Sequence, residues 1–258
     1  MLVARDDIAA AARDAGITPG DTLLVHASLS AIGRVVGGAE AVVLGLLDAV
    51  GPDGTLAAPA QTWLNLDPST GVHGAPESDW PRIREALPGF DRATTPSVGM
   101  GRVAEAIRTW PGACRSDHPV RSWAAIGPGA ATLTAVHDLE DVHGDRSPLS
   151  AAMRTDARVV LLGTPYAKCT GLHLAETHAD LELPTEIVTT WRRMPTGRET
   201  LLYENPVFSD RDFDAIGAAF ERETRIPVVT LGRGRVRAPR RGALVSFATR
   251  MMEATRCS

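Results

Sequence analysis

The feature that most constrains the fold is an alternation of short apolar runs with a segment of helical periodicity. Residues 23–25 form an apolar run that predicts a buried strand. Gly37 and Gly38 open a predicted helix that runs through Ala49, and residues 55–60 predict a second strand. Strand, helix and strand in this order indicate an α/β sheet. We therefore expect a central mixed, largely parallel sheet flanked by helices.

The rest of the chain continues this pattern without an internal repeat or a low-complexity linker, so residues 1–258 are predicted to be one domain. Residues 159–163 form the clearest buried strand. Residues 61–98 contain five prolines and two tryptophans and predict a long irregular region on the substrate side, a kind of region that is usually functional or mobile. Further predicted helices cover 5–15, 103–109, 130–136, 170–181, 213–224 and 244–253, and further predicted strands cover 118–126, 187–193 and 201–203.

Composition excludes several classes of protein. The net charge of −4 excludes a generally basic nucleic-acid binder. Lys168 is the only lysine and follows no Walker A spacing, which excludes a P-loop NTPase. No apolar stretch is long enough to span a membrane, and three cysteines without a CxxC pair favour neither disulfides nor a zinc site. Because the first residues do not resemble a signal peptide, we expect a cytoplasmic protein.

The segment after the clearest strand carries the strongest chemical signal. Ligands in open α/β sheets lie beyond the carboxyl ends of strands, and this segment runs from Gly163 through a polar loop into a helix. His173 and Glu176 share one face of that helix, and Asp180 follows one turn later. A carboxylate beside an imidazole fixes its tautomer and suits it to act as a general base. The alternative is an ordinary ion pair on a solvated helix face. Zinc binding is disfavoured because His173 and His178 are five residues apart.

Other polar residues are open to two interpretations. Ser147, followed by a proline, has the pattern of a helix N-cap, although such an N-terminus can also hold a phosphate. Four acids predicted in loops or at helix starts are individually expected to be solvated surface residues. They become functionally important only if the fold brings them to one cleft; they are Asp67, Asp91, Glu105 and Glu204.

Several blocks together resemble the aminoglycoside 3-N-acetyltransferase family, a family unrelated to the GNAT acetyltransferases. The most specific block is Thr170-x-x-His173-Leu174-Ala175-Glu176. The resemblance runs in order from about residue 5 to residue 253, and the other blocks are 24–33, 51–59, 118–127, 147–149 and 160–163.

The resemblance implies direct transfer of an acetyl group from acetyl-CoA to the 3-amine of a 2-deoxystreptamine aminoglycoside, with antibiotic resistance as the outcome and no metal. His173 would be the general base, with either Glu176 or Glu204 as its carboxylate partner. Acidic side chains would surround the polycationic acceptor, and Asp67, Asp91 and Glu105 are predicted for that role. Coenzyme A would lie along Ser28, Leu29, Ser30 and Ile32, with Ser122, Ser147 and Thr170 near its pantetheine arm or phosphates.

Two other functions stay open at this point. One is an N-acyltransferase of the same fold that acts on a non-antibiotic biosynthetic amine, and the other is a non-catalytic small-molecule binder. The arginine-rich stretch 231–237 is unusual for the rim of a cation-binding pocket, so it either faces solvent or indicates a different acceptor. Small-molecule partners are expected, and nucleic-acid and membrane partners are not.

Overall fold

The structure is a computed structural model, and it describes residues 2–256. Strands and helices alternate along most of the chain. The strands are β1 (Leu2–Val3), β2 (Thr22–Ala27), β3 (Arg34–Val35), β4 (Thr55–Pro59), β5 (Cys114–Arg115), β6 (Trp123–Ile126), β7 (Arg158–Leu162), β8 (Thr185–Met194), β9 (Gly197–Pro206), β10 (Val228–Leu231) and β11 (Gly234–Arg237). The helices are α1 (Arg5–Asp14), α2 (Leu29–Ile32), α3 (Gly38–Val50), α4 (Trp80–Ala86), α5 (Arg102–Arg108), α6 (Ala130–Thr134), α7 (Pro148–Met153), α8 (His173–His178), α9 (Phe213–Thr224) and α10 (Arg241–Arg256).

Seven strands form the central sheet in the order β10-β11-β7-β2-β4-β6-β5. The three central strands β7, β2 and β4 run parallel to one another, and the other pairings in the sheet are antiparallel. Five of the seven strands therefore run in one direction, and only β11 and β6 run in the opposite one. This confirms the predicted α/β fold with a mixed, largely parallel sheet.

Helices cover both faces of the sheet, which explains why its central strands are continuously apolar. Leu23 and Val25 belong to a core shared with α1, α3 and α5, whereas Leu24 between them belongs to a second core. That second core contains residues of α7, α8, α9 and α10. Successive side chains of β2 thus point alternately into the two cores, one on each face of the sheet.

Four adjacent strands have a terminus at the same end of the sheet. The parallel strands β2, β4 and β7 end there, and the antiparallel strand β6 begins there. Gly163, directly after β7, has a φ of +72°, and a Cβ on it would lie 3.0 Å from the carbonyl oxygen of Ser28. The glycine therefore allows the loops after β7 and β2 to approach closely.

The irregular region 61–98 packs against the hairpin of β8 and β9. Asn65 Nδ2 donates to Thr190 Oγ1 at 2.7 Å and to the carbonyl of Trp191 at 2.8 Å. Phe90 is buried and exchanges two backbone hydrogen bonds with the same hairpin. The region contains α4 and three short 3-10 helices, so it is locally ordered.

Several predicted boundaries were wrong. The predicted helix 170–181 is a 3-10 turn at Thr170–Leu172 followed by α8, which ends where Ala179 adopts an extended conformation. The predicted strand 118–126 is shortened to β6, because the backbone amides of Val120 and Arg121 turn inward to donate to His118 Nδ1. The arginine-rich stretch contains β11, which lies in the sheet between β7 and the edge strand β10.

Candidate active site

A cleft of about 920 Å³ opens at this end of the sheet, beside the termini of the four strands. Segments that follow β2, β4 and β7 line it, together with the segment before β6 and the start of α5. The side chains that line the cleft include His26, Ser28, Leu29, Ser30, Gln61, Trp63, Arg102, Arg121, Lys168, Thr170, His173 and Asp210.

His173 lies on one side of the cleft and is held by a buried carboxylate. Its Nδ1 lies 2.5 Å from Oε2 of Glu176, and the two side chains are 15 % and 0 % exposed. Because an ionised carboxylate only accepts, this contact places the ring proton on Nδ1 and leaves Nε2 basic. The predicted pair is therefore a buried contact at the cleft and not an ion pair on a solvated face.

The carboxylate of Glu176 is fixed from its other side by distant parts of the chain. Its Oε1 accepts from Nη1 of Arg256 at 2.7 Å and from the backbone amide of Ser209 at 2.9 Å. Arg256, the last helical residue of α10, also pairs with Asp212 and is only 7 % exposed. Hydrogen bonding to Asp212 and then to Glu176 raises the pKa of Arg256 above its usual range. We call His173, Glu176, Ser209, Asp212 and Arg256 the α8 wall.

Aromatic rings surround His173 on the side away from the cleft. The buried ring of His143 stacks on it, with centroids 5.0 Å apart and planes 12° apart. Phe208 and Phe213 contact the same imidazole at 5.4 and 5.0 Å. Burial, and then the charge of His173, lowers the pKa of His143 well below its usual range. The packing restricts the orientation of the His173 ring without adding a second charge beside it.

A second part of the cleft lining is built from strand ends and has a different character. His26, at the end of β2, is 6 % exposed, and its Nε2 has no hydrogen-bond partner among residues 2–256. Burial lowers the pKa of His26 to about 4, with a smaller contribution from His173. The guanidinium of Arg121, just before β6, lies 4.4 Å from the ring centroid of Trp63. We call His26, Gln61, Trp63 and Arg121 the strand-end wall.

The residues predicted to contact coenzyme A divide into two groups. Ser28, Leu29, Ser30 and Thr170 line the cleft. Three others lie outside it: Ile32 is a core residue, Ser122 bonds Arg115 and the carbonyl of Ala60, and Ser147 donates to the carbonyl of Gly144.

The acids predicted to surround the acceptor do not line the cleft. Asp67 caps a 3-10 helix and forms a bidentate pair with Arg84, whose hydrogen bonds hold the pKa of that carboxyl well below its usual range. Asp91 caps its own turn at Thr94, and Glu105 pairs with Arg108. The fold thus gives these carboxylates local partners, so their predicted contact with an acceptor stays a prediction that the geometry does not favour.

The two possible carboxylate partners of His173 are also separated by the structure. Glu204 lies on the exposed face of β9, and its carboxylate accepts a hydrogen bond from Thr185 across the hairpin. Glu176, in contrast, contacts the imidazole directly. The geometry therefore selects Glu176.

Several cleft residues were not identified from the sequence as site residues. Arg121 lies in the predicted strand 118–126 and was given no role. Lys168 lies in the loop after the clearest strand, where a ligand was expected, but it was not named as a site residue. Arg256 lies 80 positions from Glu176, and no local pattern connects them. Within residues 2–256 no cluster of three or more histidine, cysteine or acidic side chains could hold a metal ion. Over the same residues, no helix combines the length and apolarity that crossing a membrane requires.

The fold and the site define an enzyme in which a buried carboxylate orients a histidine in an open cleft at the strand ends. The model of the aminoglycoside 3-N-acetyltransferase family matches residues 24–253, and the chain belongs to this family of acyltransferases.

Individual relatives agree with this assignment. Aminoglycoside N(3)-acetyltransferase IX of Micromonospora chalcea is 35 % identical over 82 % of this chain and 73 % of its own length. The crystal structure of YokD from Bacillus subtilis superposes with a TM-score of 0.94 at 31 % identity, covering 100 % of this chain and 96 % of that one. The binary complex of AAC-IIIb with CoASH superposes with a TM-score of 0.87 at 27 % identity, covering 98 % and 97 %.

Proposed function

We propose that this protein transfers an acetyl group from acetyl-CoA to a primary amine, with His173 as the general base. The observation that carries the proposal is the 2.5 Å contact between His173 Nδ1 and the buried Glu176 carboxylate, in a ring that lines the cleft. Such a contact leaves the opposite ring nitrogen able to accept a proton from a ligand in the cleft.

The proposed reaction balances with these groups. An ammonium is not nucleophilic, so the acceptor first loses one proton to solvent. Nε2 of His173 then takes a second proton as the neutral amine attacks the thioester carbonyl. The tetrahedral intermediate collapses by breaking the carbon–sulfur bond, which gives the acetamide and the coenzyme A thiolate. The proton held by His173 is then available to that thiolate. Ser28 and Thr170 line the cleft, and a hydroxyl or backbone amide there would stabilise the oxyanion.

Coenzyme A is proposed to lie along the segment after β2. Ser28 and Ser30 line the cleft there, and their hydroxyl oxygens are 3.2 Å apart. Arg102 begins α5 at the same opening, and Lys168 lies exposed in the loop after β7, so both are available to phosphates. The CoASH complex of AAC-IIIb, a structural neighbour, supports this choice of donor.

Family membership directs the acceptor assignment to the 3-amine of a 2-deoxystreptamine aminoglycoside, with resistance to the antibiotic as the consequence. One observation favours a second candidate, a non-antibiotic amine. Arg102, Arg121 and Lys168 line the cleft, and Asp210 is the only carboxylate among its described lining residues. A polycation is better accommodated by an excess of acids. A cytoplasmic location, where acetyl-CoA is available, is part of the proposal.

The proposal is tested by incubating the protein with acetyl-CoA and amines, including an aminoglycoside such as sisomicin, and measuring thiol release and the acetyl mass gain. We expect His173→Ala to lower kcat by about 10²–10⁴-fold, the usual contribution of a general base. His178→Ala is the matched control, because this exposed histidine of the same helix pairs with the exposed Asp145 and does not line the cleft. Retention of more than a tenth of the rate in His173→Ala would remove its role as the base.

A further inference from the structure

We propose that Arg121 determines which acceptors the cleft takes, by selecting a primary amine that carries an oxyanion group and rejecting one that carries further ammonium groups. The inference rests on the proposed acetyl transfer and decides between its two classes of acceptor. It follows from where the cations of the cleft lie and from which of them has no compensating acid.

Arg121 is a half-buried cation without a carboxylate partner. Its side chain forms no hydrogen bond or ion pair with any of residues 2–256, and its described contact is the face of Trp63 at 4.4 Å. Burial lowers the pKa of Arg121, and the charges of Tyr203 and then Glu186 raise it by less. A guanidinium is charged at neutral pH even so. An uncompensated charge at a cleft is a position where a ligand anion gains most.

The position of Arg121 is fixed by its neighbours in the chain. Its backbone amide donates to the buried His118 at 2.9 Å, and Ser122, the next residue, donates to the carbonyl of Ala60 at 2.8 Å. These contacts anchor the backbone at the start of β6, and the ring of Trp63 supports the guanidinium plane. The cation is therefore pre-organised, which reduces the entropy that a bound anion must offset.

Arg121 lines the same cleft as His173. The charges of both His173 and Arg121 lower the pKa of the buried His143, which stacks on His173. Arg102 and Lys168 are exposed residues of the cleft and remain available for coenzyme A phosphates. Arg121 is consequently the cation best placed to face the acceptor amine and its substituents.

The test uses four matched acceptors with a four-carbon chain: 4-aminobutanoate, 4-aminobutyl phosphate, 4-aminobutanol and 1,4-diaminobutane, with sisomicin as a polycation. We expect wild type to have a higher kcat/KM for an acid-bearing amine than for the diamine. Arg121→Gln should lower the first value and raise the second by about tenfold each, because a like charge in a partly buried site costs at least that factor. Arg121→Lys keeps the charge and should preserve the order. The carboxylate and phosphate members show which oxyanion is preferred.

Three results would overturn the inference. The first is an acid-to-diamine ratio in Arg121→Gln that stays within twofold of wild type. The second is wild-type preference for the diamine or sisomicin over the acid-bearing amines. The third is a higher KM for acetyl-CoA in Arg121→Gln with no change among acceptors, which would assign the arginine to the donor.

Failure of the proposed function looks different, since no amine would then be acetylated by wild type. In that case the binding of sisomicin to the CoA complex, measured by calorimetry, decides the inference. Binding at least threefold tighter in Arg121→Gln supports it, and unchanged binding overturns it.

Discussion

The α8 wall and the strand-end wall differ in whether their charged side chains have partners. In the α8 wall, Glu176 and Asp212 share the cation of Arg256, and both carboxylate oxygens of Glu176 have partners. In the strand-end wall, Arg121 has no acid beside it, and His26 has a ring nitrogen without a partner among the described residues.

This difference separates the charged groups that hold side chains in position from those that can bind a ligand. Charges that are already paired hold one arrangement, because removing one partner leaves the other buried and uncompensated. A charge without a partner has no such role in the folded chain and is available to a bound molecule. We therefore interpret the α8 wall as the part that orients the proposed base, and the strand-end wall as the part that selects the acceptor.

The largest effect is expected for Glu176→Gln. The amide oxygen is a weaker acceptor for the Nδ1 proton than a carboxylate, and the amide NH₂ can donate to the ring instead. The basic nitrogen is then no longer held toward the cleft. We expect kcat for thiol release to fall by about a hundredfold or more. Glu182→Gln is the control, since that glutamate is exposed just beyond α8. A rate within threefold of wild type would contradict the assigned role of Glu176.

A smaller effect is expected for Arg256→Gln, which leaves the His173–Glu176 contact but removes its anchor. We expect kcat to fall by about tenfold with KM nearly unchanged, and the free energy of unfolding to fall by about 2 kcal/mol, since two acids lose a partly buried partner. Arg250→Gln on the same helix is the control, because Arg250 is exposed and interacts within its own helix, with the carbonyl of Ser246 and the ring of Phe247. Denaturant unfolding and steady-state kinetics measure the two effects, and an unchanged kcat would remove Arg256 from the positioning network.

The unpartnered histidine of the strand-end wall predicts sensitivity to acid. Because burial lowers the pKa of His26 to about 4, the unfolded chain binds this proton more readily than the folded protein. The neutral, buried His26 makes its full contribution to the free energy of unfolding above about pH 6.5. That contribution is lost as the pH falls toward 4, at up to about 1.4 kcal/mol per pH unit. Unfolding between pH 7 and 4.5 should show this slope, and His26→Gln should reduce it. An unchanged slope in the variant would exclude His26 as the cause.

The smallest effect on activity is expected for Asp67→Asn. This carboxylate pairs with Arg84 and caps a 3-10 helix away from the cleft, so its loss should lower Tm while kcat/KM for every acceptor stays within about twofold. Thermal unfolding and the acceptor panel measure both. A tenfold rise in KM for sisomicin would show instead that the acid serves a cationic acceptor, and the contrast between the two walls would then fail.

Much of the architecture could be predicted because it depends on local periodicity. The apolar run at 23–25 and the run at 159–163 are strands since residues buried between two helical layers must be apolar on both faces. The boundaries failed where a local contact competes with periodicity, as at His118, whose ring accepts two backbone amides and shortens the strand before β6. The pairing of the arginine-rich stretch with β7 was missed because its charged side chains mask the strand pattern.

By itself, the sequence determined the α/β class and the family, and it placed His173 and Glu176 on one helical face, because all of these depend on residue order and short spacings. Only the tertiary structure decided that Glu176 and not Glu204 contacts the imidazole, that Arg256 anchors it, and that Arg121 enters the cleft while Asp67, Asp91 and Glu105 do not. Those outcomes depend on how strand ends and helices meet in space. Contacts between residues far apart in the chain produce no periodic pattern in the sequence from which they could be predicted.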